Sequence, residues 1–247
     1  DRTRAVESMG LHADMTAGLS LGEYCAIAVA GGMCDLDAIR TVRSRGIFME
    51  HAAPEGSGAM SAVLGMDAAV IENVLNGREG VSIANYNCPG QIVITGEAAA
   101  VAEAGTALKE AGARRVLPLK VSGPFHSPMM RPAGEELAKV FARVSMNPLK
   151  IPYVANINAE VITDCGRIEG LLVEQVSGSV RWQQSVETMI REGVDTFVEI
   201  GPGKTLTGFL RKIDKNVKAY HIGSWEEAVQ VLSLIHISEP TRQEAIS

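Results

Sequence analysis

Hydrophobic positions along the chain change period repeatedly, from every second residue to every third or fourth, and each change marks an element. The alternation over Ala13–Ala17 predicts a strand, and Glu23–Ala30 a helix closed by Gly31-Gly32. A second helix is expected over Leu36–Ala52, broken by Pro54-Glu55-Gly56-Ser57-Gly58. The next stretch is regular: strand Ala59–Gly65, helix Asp67–Leu75, strands Val81–Tyr86 and Gln91–Thr95, helix Ala98–Ala111 and strand Arg115–Val121. Asn87-Cys88-Pro89-Gly90 supplies the turn between the two middle strands. Further on, helices are expected over Pro132–Val144 and Gln183–Glu192, and strands over Ile151–Asn156 and Thr196–Ile200. The turn Gly201-Pro202-Gly203 then precedes a helix from Thr205.

The βαββαβ order over residues 54–122 is the ferredoxin-like arrangement, and we read that segment as an inserted subdomain. Strand alternating with helix elsewhere places the chain in the α/β class, with a mainly parallel sheet covered on both faces. The surrounding core then comprises residues 1–53 and 123–233. Residues 234–247, from Leu234-Ile235-His236 onward, lack a partner pattern and resemble translated cloning sequence, so they are set aside as a non-native tail.

Composition narrows the function classes. The 247 residues are 46% hydrophobic with a mean hydropathy of +0.10, ordinary for a globular chain. No apolar run approaches the ~18 residues of a membrane span, and no signal peptide opens the sequence. The net charge of −6 and the absence of a basic stretch argue against a nucleic-acid partner. Cys25, Cys34, Cys88 and Cys165 are widely spaced, so neither a disulfide framework nor a zinc site is expected, and a reducing cytoplasm fits best.

The sharpest chemical signal is Gly18-Leu19-Ser20-Leu21-Gly22, a G-x-S-x-G between an expected strand and helix. A serine on such a turn sits in a strained backbone, small flanking residues let the turn close, and the hydroxyl stands exposed at a helix N-terminus. Backbone N–H groups there, that of Leu21 included, can stabilise an oxyanion. The competing reading is an N-cap serine. A nucleophilic serine needs a base. Of His12, His51, His126, His221 and His236, His126 is favoured because it lies in the rigid turn Gly123-Pro124-Phe125-His126-Ser127-Pro128 at the exit of the inserted segment. Gly201-Pro202-Gly203-Lys204-Thr205 fails as a phosphate loop, since Val198 stands where the first glycine belongs. On the helix 36–52, Ile39, Val42, Gly46 and Met49 form a stripe flanked by Arg43 and Arg45, with Arg40 pointing further away. Periodicity does not choose between the two flanking arginines.

Five ordered motifs together carry a resemblance: Gly18-Leu19-Ser20-Leu21-Gly22-Glu23-Tyr24, Arg45-Gly46-Ile47-Phe48-Met49, Asn85-Tyr86-Asn87-Cys88-Pro89-Gly90-Gln91, Gly123-Pro124-Phe125-His126-Ser127 and Glu199-Ile200-Gly201-Pro202-Gly203-Lys204. From about Ala13 to about Ile222 the chain resembles the malonyl-CoA:acyl carrier protein transacylases of bacterial fatty acid synthesis. The resemblance implies an α/β-hydrolase-like core with a ferredoxin-like insertion. It also implies Ser20 as nucleophile, His126 as base, and Gln175 as the residue whose backbone carbonyl orients the histidine. Arg45 would pair with the malonyl carboxylate, with lysine a poor substitute. Met49 and Asn87 would line the acyl pocket, and Phe125 is the malonyl-selecting version of its loop. The expected partners are malonyl-CoA and acyl carrier protein, with no resident cofactor or metal, and the chain is expected to be a monomer. Two departures stand out. Leu19 replaces the family's usual histidine and is expected to tune the pocket without abolishing chemistry. The family's opening strand, with its glutamine-containing oxyanion turn, has no counterpart in this sequence.

Three other readings share some of these features. A polyketide synthase acyltransferase domain would carry the same motifs. A serine esterase or thioesterase would want an acid between serine and histidine, where Asp67 is the only aspartate after Asp37. A carrier-docking module without activity would need a local basic rim, such as Arg114, Arg115, Lys120 or Lys204.

Overall fold

The computed structural model describes residues 2–238. In chain order the elements are α1 (Arg2–Ser8), β1 (Thr16–Ala17), α2 (Leu21–Val29), α3 (Asp35–His51), β2 (Gly58–Leu64), α4 (Ala68–Leu75), β3 (Val81–Cys88), β4 (Gln91–Glu97), α5 (Ala98–Glu110) and β5 (Arg115–Pro118). They continue with α6 (Arg131–Phe141), β6 (Tyr153–Val154), β7 (Val161–Ile162), α7 (Ile168–Ser177), α8 (Trp182–Arg191), β8 (Thr196–Ile200), α9 (Thr205–Ile213), β9 (Lys218–Ile222) and α10 (Trp225–Ser238). Two compact units result. One joins the two ends of the chain, up to Asp14 and from Ile190 onward; the other is Met15–Met189.

The larger unit holds two sheets. In the first, β1 runs parallel to β6, pairing Thr16 with Tyr153 and Ala17 with Val154, and β7 lies antiparallel on the other side of β6. Residues of α2, α3, α6 and α7 form its core, with Tyr24, Ile27, Leu137, Tyr153, Ile168 and Leu172 fully buried. Each such side chain contributes roughly 1.5–3 kcal/mol relative to exposure. The second sheet is antiparallel throughout, in the order β3-β4-β2-β5. Alternation along its strands sends Val63, Ile92 and Ile94 to the face covered by α4 and α5, where Ile71, Val101 and Leu108 meet them. Met60, Ala84 and Val93 form the opposite patch, against which Phe125 packs.

In the smaller unit β8 and β9 pair in parallel register from Thr196 with Lys218 to Ile200 with Ile222. Val6 of α1 and Ala228, Val231 and Ile235 of α10 pack with Ile222. Glu199, the penultimate residue of β8, caps α9: its carboxylate accepts from the Thr207 N–H at 2.7 Å, the Thr207 hydroxyl at 2.6 Å and the Leu206 N–H at 3.1 Å. Two of the first N–H groups of α9 are thus taken by a carboxylate from β8 and not open to a phosphate, consistent with the failed loop pattern.

Outside residues 54–122, where a mainly parallel sheet is expected, two of the three strand pairings are parallel and β6/β7 is antiparallel, but the strands divide into two sheets instead of one. Among the described residues there are three separate sheets, and only the β1/β6 and β8/β9 pairings are parallel, apart from one isolated bridge between Asn85 and Val180. The expected strand 151–156 shrinks to Tyr153–Val154 because Pro152 has no N–H to give and Ala155 turns its own to the Glu160 carbonyl. The strand expected to reach Val121 ends at Pro118, after which Val121 turns back onto the Leu119 carbonyl at 3.1 Å. Helices α1 and α7 and strand β7 carry no periodicity that distinguished them. Leu234–Ser238, set aside with the tail, continue α10, and Ile235 is buried there. Residues 239–247 lie outside the described residues.

Candidate active site

The chain leaves β1 at Ala17, turns through Gly18 and Leu19, and enters α2 at Leu21. Ser20 sits at the joint with φ 53° and ψ −104°, a left-handed conformation that costs a non-glycine residue energy and persists only where the surroundings enforce it. Gly18 shows why the turn needs a glycine: a Cβ there would lie 2.0 Å from the Gly22 carbonyl oxygen. Gly22 itself faces open space, so the two flanking glycines are not equivalent, contrary to the expectation that both let the turn close.

Ser20 occupies the N-cap position of α2, yet its hydroxyl makes no capping bond. It lies 2.7 Å from His126 Nε2 and accepts from Arg45 Nη2 at 2.8 Å. His126, buried and with φ 60°, is held in a turn closed by the Ser127 hydroxyl on the Pro124 carbonyl. Its Nδ1 is 2.9 Å from the Gln175 carbonyl oxygen. A carbonyl only accepts, so Nδ1 carries the proton and the Nε2 lone pair faces Ser20. Burial first, and the Arg45 charge second, push the His126 pKa down to about 4, leaving the imidazole neutral at pH 7.

Gln175, buried on α7, contributes its side chain as well as its carbonyl. Nε2 donates to the Ser20 carbonyl and to the Glu23 carboxyl, both at 2.8 Å, while Oε1 accepts from Arg45 Nη2 at 3.2 Å. Arg45 is buried on α3 with its guanidinium 5.7 Å from the centre of the Tyr24 ring, whereas Arg40 and Arg43 are exposed. The expected stripe is displaced. Ile39 is 66% exposed, and the buried side of α3 is Ala38, Thr41, Arg45 and Met49. A hydrophobic wheel cannot find a face whose centre is an arginine. Arg45 Nε has no partner among the described residues.

Ser20, His126, Arg45 and Gln175 thus form one hydrogen-bonded cluster. Leu21 opens α2 with its side chain half exposed, and as a first-turn residue its N–H has no partner within the helix. Met49 and Phe125 both pack in the main core, and the Phe125 ring and the Met49 carbonyl both approach Gly123. Asn87 is buried on β3 and has no hydrogen bond to the cluster among the described residues. The other histidines are elsewhere: His12 and His51 are exposed, and His221 lies in the smaller unit, 2.9 Å from the Gly201 carbonyl.

Two participants gave weak signals or none. Ser20-Leu21-Gly22-Glu23 has the spacing of a capping box, in which Glu23 would fold back onto the N-cap N–H. Instead Glu23 is fully buried, accepts from Gln175 Nε2 and from the Asn156 N–H at 3.3 Å, and has its pKa raised to about 8 by burial. Asn156 takes the Ser20 N–H that a capping box would have used, accepting it on Oδ1 at 2.6 Å. Nothing in its sequence neighbourhood marks it.

All four cysteines are free thiols, and the described residues contain no group of histidine, cysteine or carboxylate side chains placed to hold a metal. No helix among them is long and apolar enough to cross a membrane.

Residues 2–232 match the family described as acyl transferase domain. A malonyl CoA-acyl carrier protein transacylase of Bacillus subtilis (strain 168) is 45% identical over 230 residues, which are 90% of this chain and 73% of that protein. The crystal structure of the transacylase of that name from Clostridium perfringens superposes with a TM-score of 0.93 at 38% identity, covering 96% of this chain and 76% of the other. A malonyl-transacylase solved in complex with its type II PKS acyl-carrier protein superposes with a TM-score of 0.88 at 38% identity, covering 94% and 76%.

Proposed function

The chain belongs to the acyl transferase domain family, and we propose that it moves a malonyl group from malonyl-CoA to the phosphopantetheine thiol of an acyl carrier protein, for fatty acid synthesis, through a malonyl-serine ester. The observation that carries this reading is a buried arginine 2.8 Å from a strained serine whose hydroxyl also meets a neutral histidine. In the first half-reaction Ser20 passes its proton to His126 Nε2 and attacks the thioester carbonyl. The oxyanion is met by the Leu21 N–H at the start of α2, since the Ser20 N–H is taken by Asn156. The tetrahedral species collapses, the C–S bond breaks, and the coenzyme A sulfur leaves with the proton from His126. In the second half the carrier thiol gives its proton to His126, attacks the ester, and Ser20 recovers its hydroxyl.

Arg45 supplies selectivity. Its guanidinium is a rigid fork suited to a planar carboxylate, and its unpartnered Nε leaves part of that fork uncommitted within the protein. Met49, Phe125 and Asn87 would line the acyl pocket, the last with no hydrogen bond to the cluster in its favour. Gln175 orients His126 through its carbonyl, replacing the acid of a triad, which weighs against the esterase reading. Asp67, the candidate acid of that reading, stands at the N-terminus of α4. No resident cofactor or metal enters the scheme. We also read residues 54–122 as a ferredoxin-like subdomain, supported by the β3-β4-β2-β5 order, inserted in an α/β-hydrolase-like core. A cytoplasmic monomer acting on small thioesters and a carrier protein, with neither nucleic acid nor membrane as partner, completes the reading.

Intact-mass spectrometry after incubation with malonyl-CoA tests it, on this chain and on Ser20→Ala. A malonyl adduct on the parent alone is expected. No adduct on a folded parent, or an equal adduct on both, would overturn the proposal.

A further inference from the structure

A serine with φ 53° does not stay there unaided, and the helix that follows does not hold it, because its hydroxyl makes no capping bond. Gln175 holds the Ser20 carbonyl, and a second restraint, on the Ser20 N–H, comes from 136 residues further along the chain. Asn156 Oδ1 accepts the Ser20 N–H at 2.6 Å, and Asn156 Nδ2 donates to the Gly18 carbonyl at 2.8 Å, so one amide grips the turn on both sides of Leu19. The β1/β6 register explains how it gets there. Ala17 pairs with Val154, and two residues further along each chain the turn and Asn156 lie side by side. Asn156 is in turn fully committed. Its N–H goes to the Glu23 carboxyl at 3.3 Å and its carbonyl accepts from the Arg181 N–H at 2.8 Å, and none of it is exposed.

We infer that Asn156 is a positioning residue for the reaction: its amide clamps the Gly18–Ser20 turn so that the Ser20 hydroxyl is aimed at His126, and it withdraws the Ser20 N–H from oxyanion binding. This rests on the reading of Ser20 as the acyl nucleophile. The clamp needs an acceptor and a donor on one planar group, in that order, which an amide supplies and a carboxylate does not. A protonated carboxyl supplies both.

That difference gives the test. In Asn156→Asp the acid form reproduces both bonds, while the ionised form sets a second acceptor against the Gly18 carbonyl. The titratable groups facing this position are the Glu23 carboxyl beneath it and, across Ser20, His126 and Arg45. Burial holds the introduced carboxyl above its ordinary pKa of about 3.9, against the pull of Arg45 and beside a Glu23 that is itself neutral until about pH 8, moving its titration toward neutrality. The rate of Ser20 acylation by malonyl-CoA is measured by intact mass from about pH 5 to about pH 8.5, with circular dichroism at each pH to confirm folding. The ratio of variant to parent rate is expected to be near one at the acid end and to fall about 10-fold or more as pH rises. A ratio that does not fall with pH overturns the inference. Asn156→Leu, which keeps the volume and removes both bonds, is expected to lower kcat about 10- to 100-fold at every pH with KM for malonyl-CoA unchanged; parent-like turnover in a folded Asn156→Leu also overturns it. Should Asn156→Leu not fold, the Asn156→Asp profile decides alone. A parent that takes no adduct counts against the nucleophile reading; a parent that does, beside variants that match it, counts against the clamp only.

Discussion

Glu23 lies in the first turn of α2 just past Ser20, with no solvent exposure, and burial raises its carboxyl pKa from 4.5 to about 8 despite the opposing bonds from Gln175 and Asn156. The unfolded chain releases this proton near 4.5 and the folded chain only near 8. Between those values the folded state binds more protons, so the stabilisation is complete below about pH 4.5 and is lost as pH rises through about 8. At ~1.4 kcal/mol per pH unit, that gap amounts to at most about 5 kcal/mol. Against a total stability of about 5–15 kcal/mol, this is a large fraction. Glu23→Gln removes the titration. It costs about 1–2 kcal/mol at acid pH, because the amide cannot reproduce every bond of the neutral carboxyl, but it then loses little as pH rises. Urea unfolding followed by circular dichroism, in steps from about pH 5 to about pH 8.5, measures both chains. The parent should fall steeply and the variant should not, so that their stabilities cross at about pH 5.5–6 and the variant is the more stable by up to about 3 kcal/mol at pH 8. Other titrating groups cancel in the difference between the two curves. Parallel curves would refute the reasoning, because they would mean that Glu23 takes up no proton on folding over this range.

The two glycines of the Ser20 turn should respond in opposite ways. Gly18→Ala places a methyl 2.0 Å from the Gly22 carbonyl oxygen and should destabilise by about 1–3 kcal/mol or more, with loss of acylation. Gly22→Ala meets nothing within 4 Å and should raise stability by up to about 1 kcal/mol in a thermal melt. With the His126 pKa pushed down to about 4, the acylation rate of the parent should be level from about pH 5.5 to about pH 7.5 and halve only near pH 4, whereas a half-point near 6.5 in a stopped-flow pH series would contradict the buried, neutral imidazole.

The elements between Gly58 and Pro118 were legible because each strand there buries one face against helices, so alternation survives in the sequence. Of the β1/β6/β7 sheet, β1 and β6 fall inside the expected strands Ala13–Ala17 and Ile151–Asn156, though shorter, while β7, two residues long, carries no period. The site divides along a similar line. Ser20 and His126 announce themselves by local turn chemistry, Gly18 and the prolines around His126. Arg45 emerged from the resemblance alone, because its burial is a tertiary fact that contradicts the apolar stripe on its own helix. The Gln175 side chain, Glu23 and Asn156 act through contacts spanning more than a hundred residues, and such contacts leave no trace in local pattern.

His126 rests its Nδ1–H on a neutral carbonyl, so an imidazolium formed during turnover has no carboxylate beside it and has Arg45 nearby instead. The result is a weak base. For the transfer proposed here, weakness selects the acceptor. A thiol of pKa about 8.5 is already a few per cent ionised at neutral pH and needs little help to attack the ester. Water, with a pKa of about 15.7, depends on whatever takes its proton and gains little from this imidazole. The acyl-serine of that proposal is thereby left fragile toward sulfur and durable toward solvent, a chemical discrimination set by the burial of one imidazole and the arginine charge beside it.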